Sequence, residues 1–153
     1  MIEIDAKSAQ STIERLARVN KDIERQFSDF LRKESKILET KIKQELTKVK
    51  GVDTGQARQS IHGEVERLEG QVKANALHAS IIEYGRRPGT YPPTEPIRRW
   101  LARKGIDIPV FLVVRKIATK GIAARPYFYP TWINYKGTFN RKMIALFKQI
   151  VQK

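Results

Sequence analysis

The chain of 153 residues contains no cysteine. A disulfide framework and a cysteine-based metal site are therefore excluded. Long apolar runs are also missing. The longest extends from Ile108 to Val114 and contains Pro109, whereas a membrane-spanning helix needs ~20 apolar residues. The first residues, Met-Ile-Glu-Ile-Asp, lack the basic and then apolar order of a secretion signal. We therefore expect neither a membrane span nor a secretion signal.

Acidic residues are scarce in the C-terminal part of the chain. The whole chain has 30 basic and 16 acidic residues, a net charge of +14. Residues 1–50 carry 12 basic and 9 acidic groups, residues 51–84 carry 3 and 5, and residues 85–153 carry 15 and 2. The electrostatic field of such an uneven charge distribution attracts polyanions. The charge alone leaves nucleic acid, an acidic protein surface and an anionic membrane open as partners.

The composition is typical of one folded domain. Apolar residues make up 41% of the chain, and its length is sufficient for a hydrophobic core. We predict a single domain over residues 1–153, in which residues 1–50 form a long amphipathic helical region and residues 51–153 an α+β body.

Neither proline nor glycine occurs between Ser8 and Lys50. Apolar residues recur there at every third or fourth position, which predicts an amphipathic helix ended by Gly51. Glu34 interrupts the apolar stripe. Because an unbroken helix of this length would reach ~60 Å, more than the width of such a domain, we expect it either to break near Glu34 or to project toward a partner. The apolar positions are Ile13, Leu16, Val19, Ile23, Phe27, Phe30, Ile37, Leu38, Ile42, Leu46 and Val49.

The rest of the chain predicts short elements of both kinds. Alternating apolar residues on either side of Leu68-Glu69-Gly70 predict a β-hairpin. Residues 79–84 form an apolar segment of undetermined type, and residues 110–120 fit a helix or a strand, of which we favour a helix. Further expected elements are a helical turn over 56–61, a loop over 86–96, a helix over 95–104, an extended aromatic segment over 125–130 and a final helix from near Thr138 to Val151. The fold class is α+β, with a long N-terminal helix, a small, mostly antiparallel sheet with the hairpin, additional short helices and a C-terminal helix.

Asp53-Thr54-Gly55 matches the catalytic tripeptide of aspartic proteases. That mechanism needs two such aspartates that share a proton, each in a loop after an apolar strand. Here the tripeptide follows a lysine-rich helix end, Lys48-Val49-Lys50-Gly51. We favour a turn or helix cap, and an aspartic protease stays the distant alternative. His62 and His78 have no metal-ligand spacing with carboxylates, so we expect no metal site. Because no catalytic motif in the sequence goes beyond a chance match, we also expect no enzymatic activity.

Aromatic residues are interleaved with the basic residues of the C-terminal part. Together they can bind nucleic acid, through phosphate contacts and base stacking. Alternatively the charges form a solvated face and the rings are core residues, which we favour for Trp100 and Phe128. A basic nucleic-acid-binding protein without enzymatic activity is therefore an alternative function. The candidate residues facing DNA or an acidic partner are Arg86, Arg87, Arg98, Arg99, Arg103, Lys104, Arg115 and Lys116.

Three segments, in their order and spacing, resemble a known protein family. They are Val-Asp-Thr-Gly-Gln-Ala-Arg-Gln-Ser-Ile at 52–61, Ala-Ser-Ile-Ile-Glu-Tyr-Gly at 79–85 and Ala-Arg-Pro-Tyr-Phe-Tyr-Pro at 124–130. With them the chain resembles the tail-completion or neck proteins of long-tailed bacteriophages, which help to join head and tail. The residues that match the family's motifs are Thr54, Gly55, Arg58, Ser60, Glu83, Gly85, Arg125, Pro126, Phe128 and Pro130.

The resemblance implies a structural virion protein, a minor tail component that acts by assembly without a cofactor. Its partners would be further copies of itself, in a six-fold ring at the top of the tail, and the neighbouring head-connector and tail proteins. Non-specific DNA contact in the ring lumen is expected, and no membrane contact. The implied location is the virion neck, with the host cytoplasm during assembly.

The matching residues are expected to stabilise the fold and not to carry out chemistry. Thr54 would cap a helix, Gly55 would permit a close turn, and Gly85 would end a segment. Arg58 and Glu83 are expected to pair, within one chain or between ring neighbours.

The third motif carries a separate expectation. Pro126 and Pro130 would bracket an extended strand that buries Phe128.

Overall fold

The structure, a computed structural model, describes residues 6–152, with side chains described from residue 17 onward. A long N-terminal helix is followed by a two-stranded antiparallel sheet, short helices and a C-terminal helix, which confirms the predicted α+β class. The elements are α1 (Ala6–Lys48), α2 (Gln56–Gln59), β1 (Ile61–Glu66), β2 (Glu69–Ala74), α3 (Ala79–Tyr84), α4 (Thr94–Lys104), α5 (Val110–Lys120) and α6 (Phe128–Val151).

Helix α1 runs without interruption through Glu34, so the predicted alternative of a break near this residue is wrong. The Glu34 side chain is only 3% exposed. Its carboxylate accepts hydrogen bonds from the Tyr135 hydroxyl and, at 2.9 and 3.0 Å, from the Lys142 ammonium. A buried carboxylate is tolerated where it is paired and hydrogen-bonded. These two residues of α6 therefore explain how an acidic residue fits in the apolar stripe of a continuous helix.

Helix α6 packs antiparallel along α1 and is shorter than α1. Phe30 contacts Phe139 and Phe27 contacts Phe147, with ring centroids 5.6 and 5.7 Å apart. Since α6 ends at Val151, residues 6–22 of α1 extend past it by ~25 Å. Residues 17–22 are exposed. The second alternative, a projecting helix, is therefore what the fold contains, and we call residues 6–22 the α1 overhang.

Strands β1 and β2 form the predicted antiparallel hairpin, with Ile61 opposite Ala74. The turn consists of residues 67–68, with Arg67 at a φ of 52°, so it lies closer to the N-terminus than expected. The hairpin packs closely against α1. A Cβ added to Gly63 would lie only 3.0 Å from the Ser35 side chain. Glycine at this position lets the strand approach the helix backbone closely.

Glu39 joins the hairpin to α1. Its buried carboxylate accepts hydrogen bonds from the Gly63 N–H at 3.0 Å, from Lys43 at 2.6 Å and from Lys36 at 3.0 Å. Burial by itself would raise the pKa of Glu39. The three hydrogen bonds outweigh burial and lower the pKa from 4.5 to about 2. The carboxylate is therefore ionised at neutral pH and holds β1 on the helix.

Glu39→Gln is expected to destabilise the protein by about 2 kcal/mol at neutral pH, because the amide keeps an acceptor but loses the charge that two lysines stabilise. The pKa of Glu39 is depressed in the folded state. Its stabilisation is therefore fully present above pH 4.5 and is lost as the pH falls toward about 2. Urea denaturation of both proteins at neutral pH and near pH 3 measures this effect. The difference in the free energy of unfolding between the wild-type protein and Glu39→Gln should shrink at the lower pH. A difference that stays constant would contradict this role of Glu39.

Helix α6 begins at Phe128 and not near Thr138, so the prediction of an extended aromatic segment is wrong. Pro126 and Pro130 do not bracket a strand. Pro130 lies in the first turn of α6, where the missing N–H leaves no helical hydrogen bond unmade. Tyr127 is the fully buried ring, 1% exposed, whereas Phe128 is only partly buried. Prolines around aromatic residues fit an extended segment or a helix start, and the tertiary structure selects the helix start.

The core lies between α1, α2, β1 and the start of α6. Residues 79–84, left undetermined by the sequence, form a helix, and residues 110–120 form the helix that was favoured. Helices α4 and α5 contact each other and, among the described residues, contribute none to the main buried cluster. That cluster consists of Leu38, Ile42, Leu46, Ala57, Ile61, Tyr127 and Tyr135.

Candidate functional site

Glu83 caps the start of α6. Its carboxylate, in a side chain only 6% exposed, accepts the backbone N–H groups of Tyr127 and Phe128 at 2.8 Å and of Tyr129 at 3.0 Å. The first N–H groups of a helix have no partner within the helix, and the positive end of the helix dipole favours a negative charge. Within the described residues no hydrogen bond or ion pair joins Glu83 to Arg58. The expected pairing inside one chain is therefore wrong, because α6 already occupies the carboxylate.

Arg125 connects the same place to the end of α1. Its guanidinium donates to the carbonyl oxygens of Val49 and Lys50 at 3.3 and 3.1 Å, and its backbone N–H donates to the carbonyl of Ile82 at 2.8 Å. An arginine at a helix C-terminus satisfies carbonyls that lack helical partners. The second and third sequence motifs thus meet the end of α1 in one cluster, residues 49–50, 82–83 and 125–129, which we call the motif junction.

The first motif forms the turn that leads into α2. Gly55 precedes α2 with a φ of 85°, a left-handed conformation that favours glycine. The Thr54 hydroxyl accepts the Gln56 N–H at a long distance of 3.5 Å. Gly55 holds the N-cap position of α2 without a side-chain hydrogen bond, so the expected capping role of Thr54 is wrong. The Ser60 hydroxyl donates to the carbonyl of Ala57 at 2.9 Å, and Ala57 is buried in the core. These motif residues therefore shape the backbone beside the motif junction.

Asp53 fastens this turn to α4. Its carboxylate pairs with Arg103 and, at 3.6 Å, with Lys104. It lies in the connection between helices α1 and α2, whereas the protease mechanism requires a loop after an apolar strand. The local arrangement is that of a structural ion pair.

Helices α4 and α5 extend from a narrow stem. Arg86 and Ile122 exchange two backbone hydrogen bonds of 2.9 and 2.8 Å, and the Arg86 guanidinium donates to the carbonyl of Thr90 at 3.3 Å. Gly85 and Gly121 flank the stem with φ values of 73° and 74°. A Cβ on Gly85 would lie 2.5 Å from the carbonyl oxygen of Ile122, and one on Gly121 would collide with that of Arg86. We call residues 87–121, held by this stem, the basic arm.

Gly121→Ala is expected to destabilise the protein by about 2 kcal/mol or more, since the added methyl group collides with backbone at a positive φ. Gly137→Ala is the matched control. Its Cβ would meet nothing within 4 Å, and alanine in a helix interior is favoured by about 1 kcal/mol. Thermal unfolding measures both. Equal effects of the two substitutions would show that the stem does not require glycine.

The basic arm carries eight basic and two acidic residues. Among the predicted partner-facing cations, Arg87, Arg115 and Lys116 are exposed and form no ion pair within the described part of the chain. The others on the arm have acidic partners: Arg98 and Arg99 pair with Glu95, and Arg103 and Lys104 pair with Asp53. Exposed pairs of this kind contribute at most ~1 kcal/mol, so a polyanion can compete for these cations.

An apolar stripe on the outer face of α6 was missed by the sequence analysis. The side chains in it are between 47% and 82% exposed. Their spacing was visible in the sequence, but the helix was predicted to start too late to include the first two. We call these residues the outer α6 stripe: Tyr129, Ile133, Ile144 and Val151.

No group of three or more His, Cys, Asp or Glu residues is arranged to hold a metal ion in the described part of the chain. A groove of about 510 Å³ between α1 and α6 is lined by polar and cationic side chains, including Lys41, Lys48 and Lys142. Lys48 pairs with Glu45 and Lys142 pairs with Glu34, which neutralises two of these cations.

None of the helices, over the residues searched, is both long and apolar enough to cross a bilayer. Comparison of the chain with protein-family models, with curated proteins and with solved structures found no match.

Proposed function

We propose that this chain is a structural virion protein of the neck of a long-tailed bacteriophage, which completes the tail and helps to join it to the head. The observation that carries the proposal is the ordered set of three motifs that resembles the neck-protein family. The geometry supports it, because the second and third motifs meet at the motif junction while the first shapes the turn beside it. If this chain and the neck proteins share one fold, the residues that they have in common are expected to be those that stabilise that fold.

In this proposal the protein acts by assembly and not by catalysis. Copies of the chain form a ring around the DNA passage, between the head connector and the tail. A helix that extends ~25 Å beyond the body is suited to contact with a neighbouring subunit. The six-fold symmetry is taken from the resemblance and belongs to the proposal.

The basic arm would face the DNA passage or an acidic surface of the adjacent ring. DNA must slide through such a ring, so binding has to be weak and independent of sequence. Affinity that comes from phosphate contacts falls steeply with salt. Gel-shift measurements at rising salt should therefore show this steep loss with any DNA sequence.

A stop codon introduced into this gene in its phage or prophage tests the proposal. Electron microscopy of the lysate should show filled heads and finished tails lying apart, and a plasmid copy of the wild-type gene should restore joined particles. Normal infectious particles without the protein would overturn the neck proposal. A plasmid copy with Asp29→Asn, which changes only an exposed ion-paired residue of α1 outside the basic arm, is the control and should also restore joining.

A nucleic-acid-binding protein is the second candidate, favoured by the exposed cations of the basic arm. Arg115→Gln with Lys116→Gln should then weaken DNA binding. Arg32→Gln with Lys33→Gln, an equal charge change on exposed residues of α1, should weaken it less. Tight, sequence-specific binding would favour this candidate over the neck proposal, because a lumen that grips one sequence would stop DNA from sliding.

A further inference from the structure

The basic arm exposes apolar side chains at the start of α5. Phe111 is 60% exposed and Leu112 is 47% exposed, and neither belongs to the main buried cluster. Ile106 and Ile108, in the loop before α5, are 38% and 46% exposed. These large apolar residues are concentrated within residues 106–112 and are not scattered singly over the surface. Concentrated exposed apolar surface marks an interaction site.

Basic side chains lie between the apolar ones on α5. Residues three or four positions apart are neighbours on a helix surface, so Arg115 lies beside both Phe111 and Leu112, and Lys116 lies beside Leu112. Both cations are exposed and form no ion pair among the described residues. The surface therefore combines apolar and cationic side chains, and we call it the α5 face: Phe111, Leu112, Arg115 and Lys116.

The charge around the α5 face requires an acidic partner. Residues 103–120 contain five basic residues and one acidic residue, Asp107. Arg103 and Lys104 pair with Asp53 of the same molecule. The three basic residues of α5 have no acidic partner in the described part of the chain: Arg115, Lys116 and Lys120. Their positive charge is therefore available to a second molecule, and it repels a basic one.

A DNA duplex would satisfy the cations of the α5 face but not its apolar side chains. The outer surface of a duplex consists of phosphate and sugar, so Phe111 and Leu112 would stay in water or enter the duplex as a wedge between base pairs. Such wedges unstack base pairs and kink the duplex. A duplex held in this way would not slide through the ring that we propose.

An anionic membrane would satisfy the charge of the α5 face but not its arrangement. A helix that lies in a membrane surface has its apolar and its charged residues on separate faces. On α5, Arg115 lies between the two apolar residues, at ~40° from Phe111 and ~60° from Leu112 around the helix axis. Insertion of the apolar pair into lipid would therefore also carry Arg115 inward, which is unfavourable.

We propose that the α5 face binds an acidic surface of another protein, whose carboxylates pair with Arg115 and Lys116 and whose apolar side chains cover Phe111 and Leu112. A protein surface can present both kinds of group at the spacing of neighbours on a helix. The cations attract and orient the partner, and the apolar pair adds burial. This inference deepens the proposed function, because it selects the acidic neighbour over the DNA passage. It rests on that function only for the position of the partner in the adjacent ring.

The binding of two synthetic peptides to the purified full chain tests this surface. The leucine peptide is an amphipathic helix of leucine and glutamate. In the glutamine peptide every leucine is replaced by glutamine, which keeps the charge and the helix propensity. Fluorescence anisotropy, at concentrations at which the free peptides are monomeric, measures both affinities. The leucine peptide should bind about tenfold or more tightly, because only this peptide buries the apolar pair. Equal affinities would overturn the proposal, since charge alone would then account for binding.

Substitutions locate the binding on α5. Phe111→Gln with Leu112→Gln should lower the affinity for the leucine peptide by about tenfold or more. The affinity for a DNA duplex should stay unchanged, because the double variant keeps every cation. Leu68→Gln is the matched control, since Leu68 is 46% exposed but lies in the hairpin turn beside Glu69. This control should bind the leucine peptide as the wild-type chain does, and an equal loss in it would overturn the proposed location. Circular dichroism checks that the variants are folded.

The same double variant tests the two other classes of partner. A loss of affinity for single- or double-stranded DNA would show that the apolar pair contacts bases, and it would overturn the choice of a protein partner. Vesicles of phosphatidylserine and phosphatidylcholine test the membrane. A double variant that no longer binds these vesicles, but binds the leucine peptide as the wild-type chain does, would assign the α5 face to lipid.

The stop-codon phage separates this inference from the neck role. Unjoined heads and tails without the protein, together with equal affinities for the two peptides, would retain the neck role and reject only the acidic partner. Normal particles without the protein would reject the neck role. A preference for the leucine peptide that the double variant abolishes would still retain an acidic protein as the partner of the α5 face.

Discussion

Glu83→Gln is expected to destabilise the protein by about 3 kcal/mol, one of the two largest effects of a single substitution that we expect in this chain. The buried carboxylate accepts three backbone N–H groups at the start of α6. An amide offers one acceptor oxygen, and its NH₂ group opposes these donors. At least one buried N–H therefore loses its partner. Urea denaturation, followed by the fluorescence of Trp132 in a Trp100→Phe background, measures the loss near α6.

Glu95→Gln provides the control for this prediction. Glu95 also binds two partners, Arg98 and Arg99, but its side chain is 52% exposed. The cost of losing an exposed pair is about 0.5 kcal/mol or less. Similar effects of Glu83→Gln and Glu95→Gln would show that the capping of α6 contributes little to the fold.

Lys142→Met is expected to destabilise the protein by about 3 kcal/mol, because Glu34 stays buried after its ionic partner is removed. The Lys142 ammonium lies 2.9 and 3.0 Å from the two carboxylate oxygens of Glu34. The pKa of Lys142 is raised, mainly by its hydrogen bond to Glu34, and the pKa of Tyr135 is raised first by burial and then by its hydrogen bond to the same carboxylate. Thermal unfolding at neutral pH measures the loss.

Replacing the whole cluster should recover most of this loss. In the triple variant Glu34→Leu, Tyr135→Phe and Lys142→Met, no buried charge remains without a partner. Apolar replacement of a buried ion pair is often neutral or stabilising. A triple variant as unstable as Lys142→Met alone would show that packing, and not the unpaired carboxylate, causes the loss.

Local patterns in the sequence were sufficient for most of the secondary structure. The helix from Ser8 to Lys50, the hairpin and the helix over residues 110–120 follow from spacing of apolar residues with glycine at the ends. The start of α6 was misplaced because Pro126 and Pro130 suggested an extended segment. Proline is compatible with a first helical turn, and the capping carboxylate that fixes this start, Glu83, lies 44 residues before Tyr127 in the chain.

The candidate site was predicted in its residues but not in its contacts. The sequence singled out Glu83 and Arg125, and the structure brings both to the motif junction. In the structure both side chains bind backbone groups, and Glu83 does not form the predicted pair with Arg58. Backbone N–H and carbonyl groups are present at every residue, so no sequence pattern shows which of them a side chain will bind.

The sequence by itself determined the α+β class, the long N-terminal helix and the concentration of positive charge after residue 85, since each depends on neighbouring residues or on composition. Only the tertiary structure decided that α1 passes unbroken through Glu34 and extends past α6. The reason is physical: a carboxylate in an apolar stripe is tolerated when partners neutralise it. Those partners, Tyr135 and Lys142, lie 101 and 108 residues away along the chain.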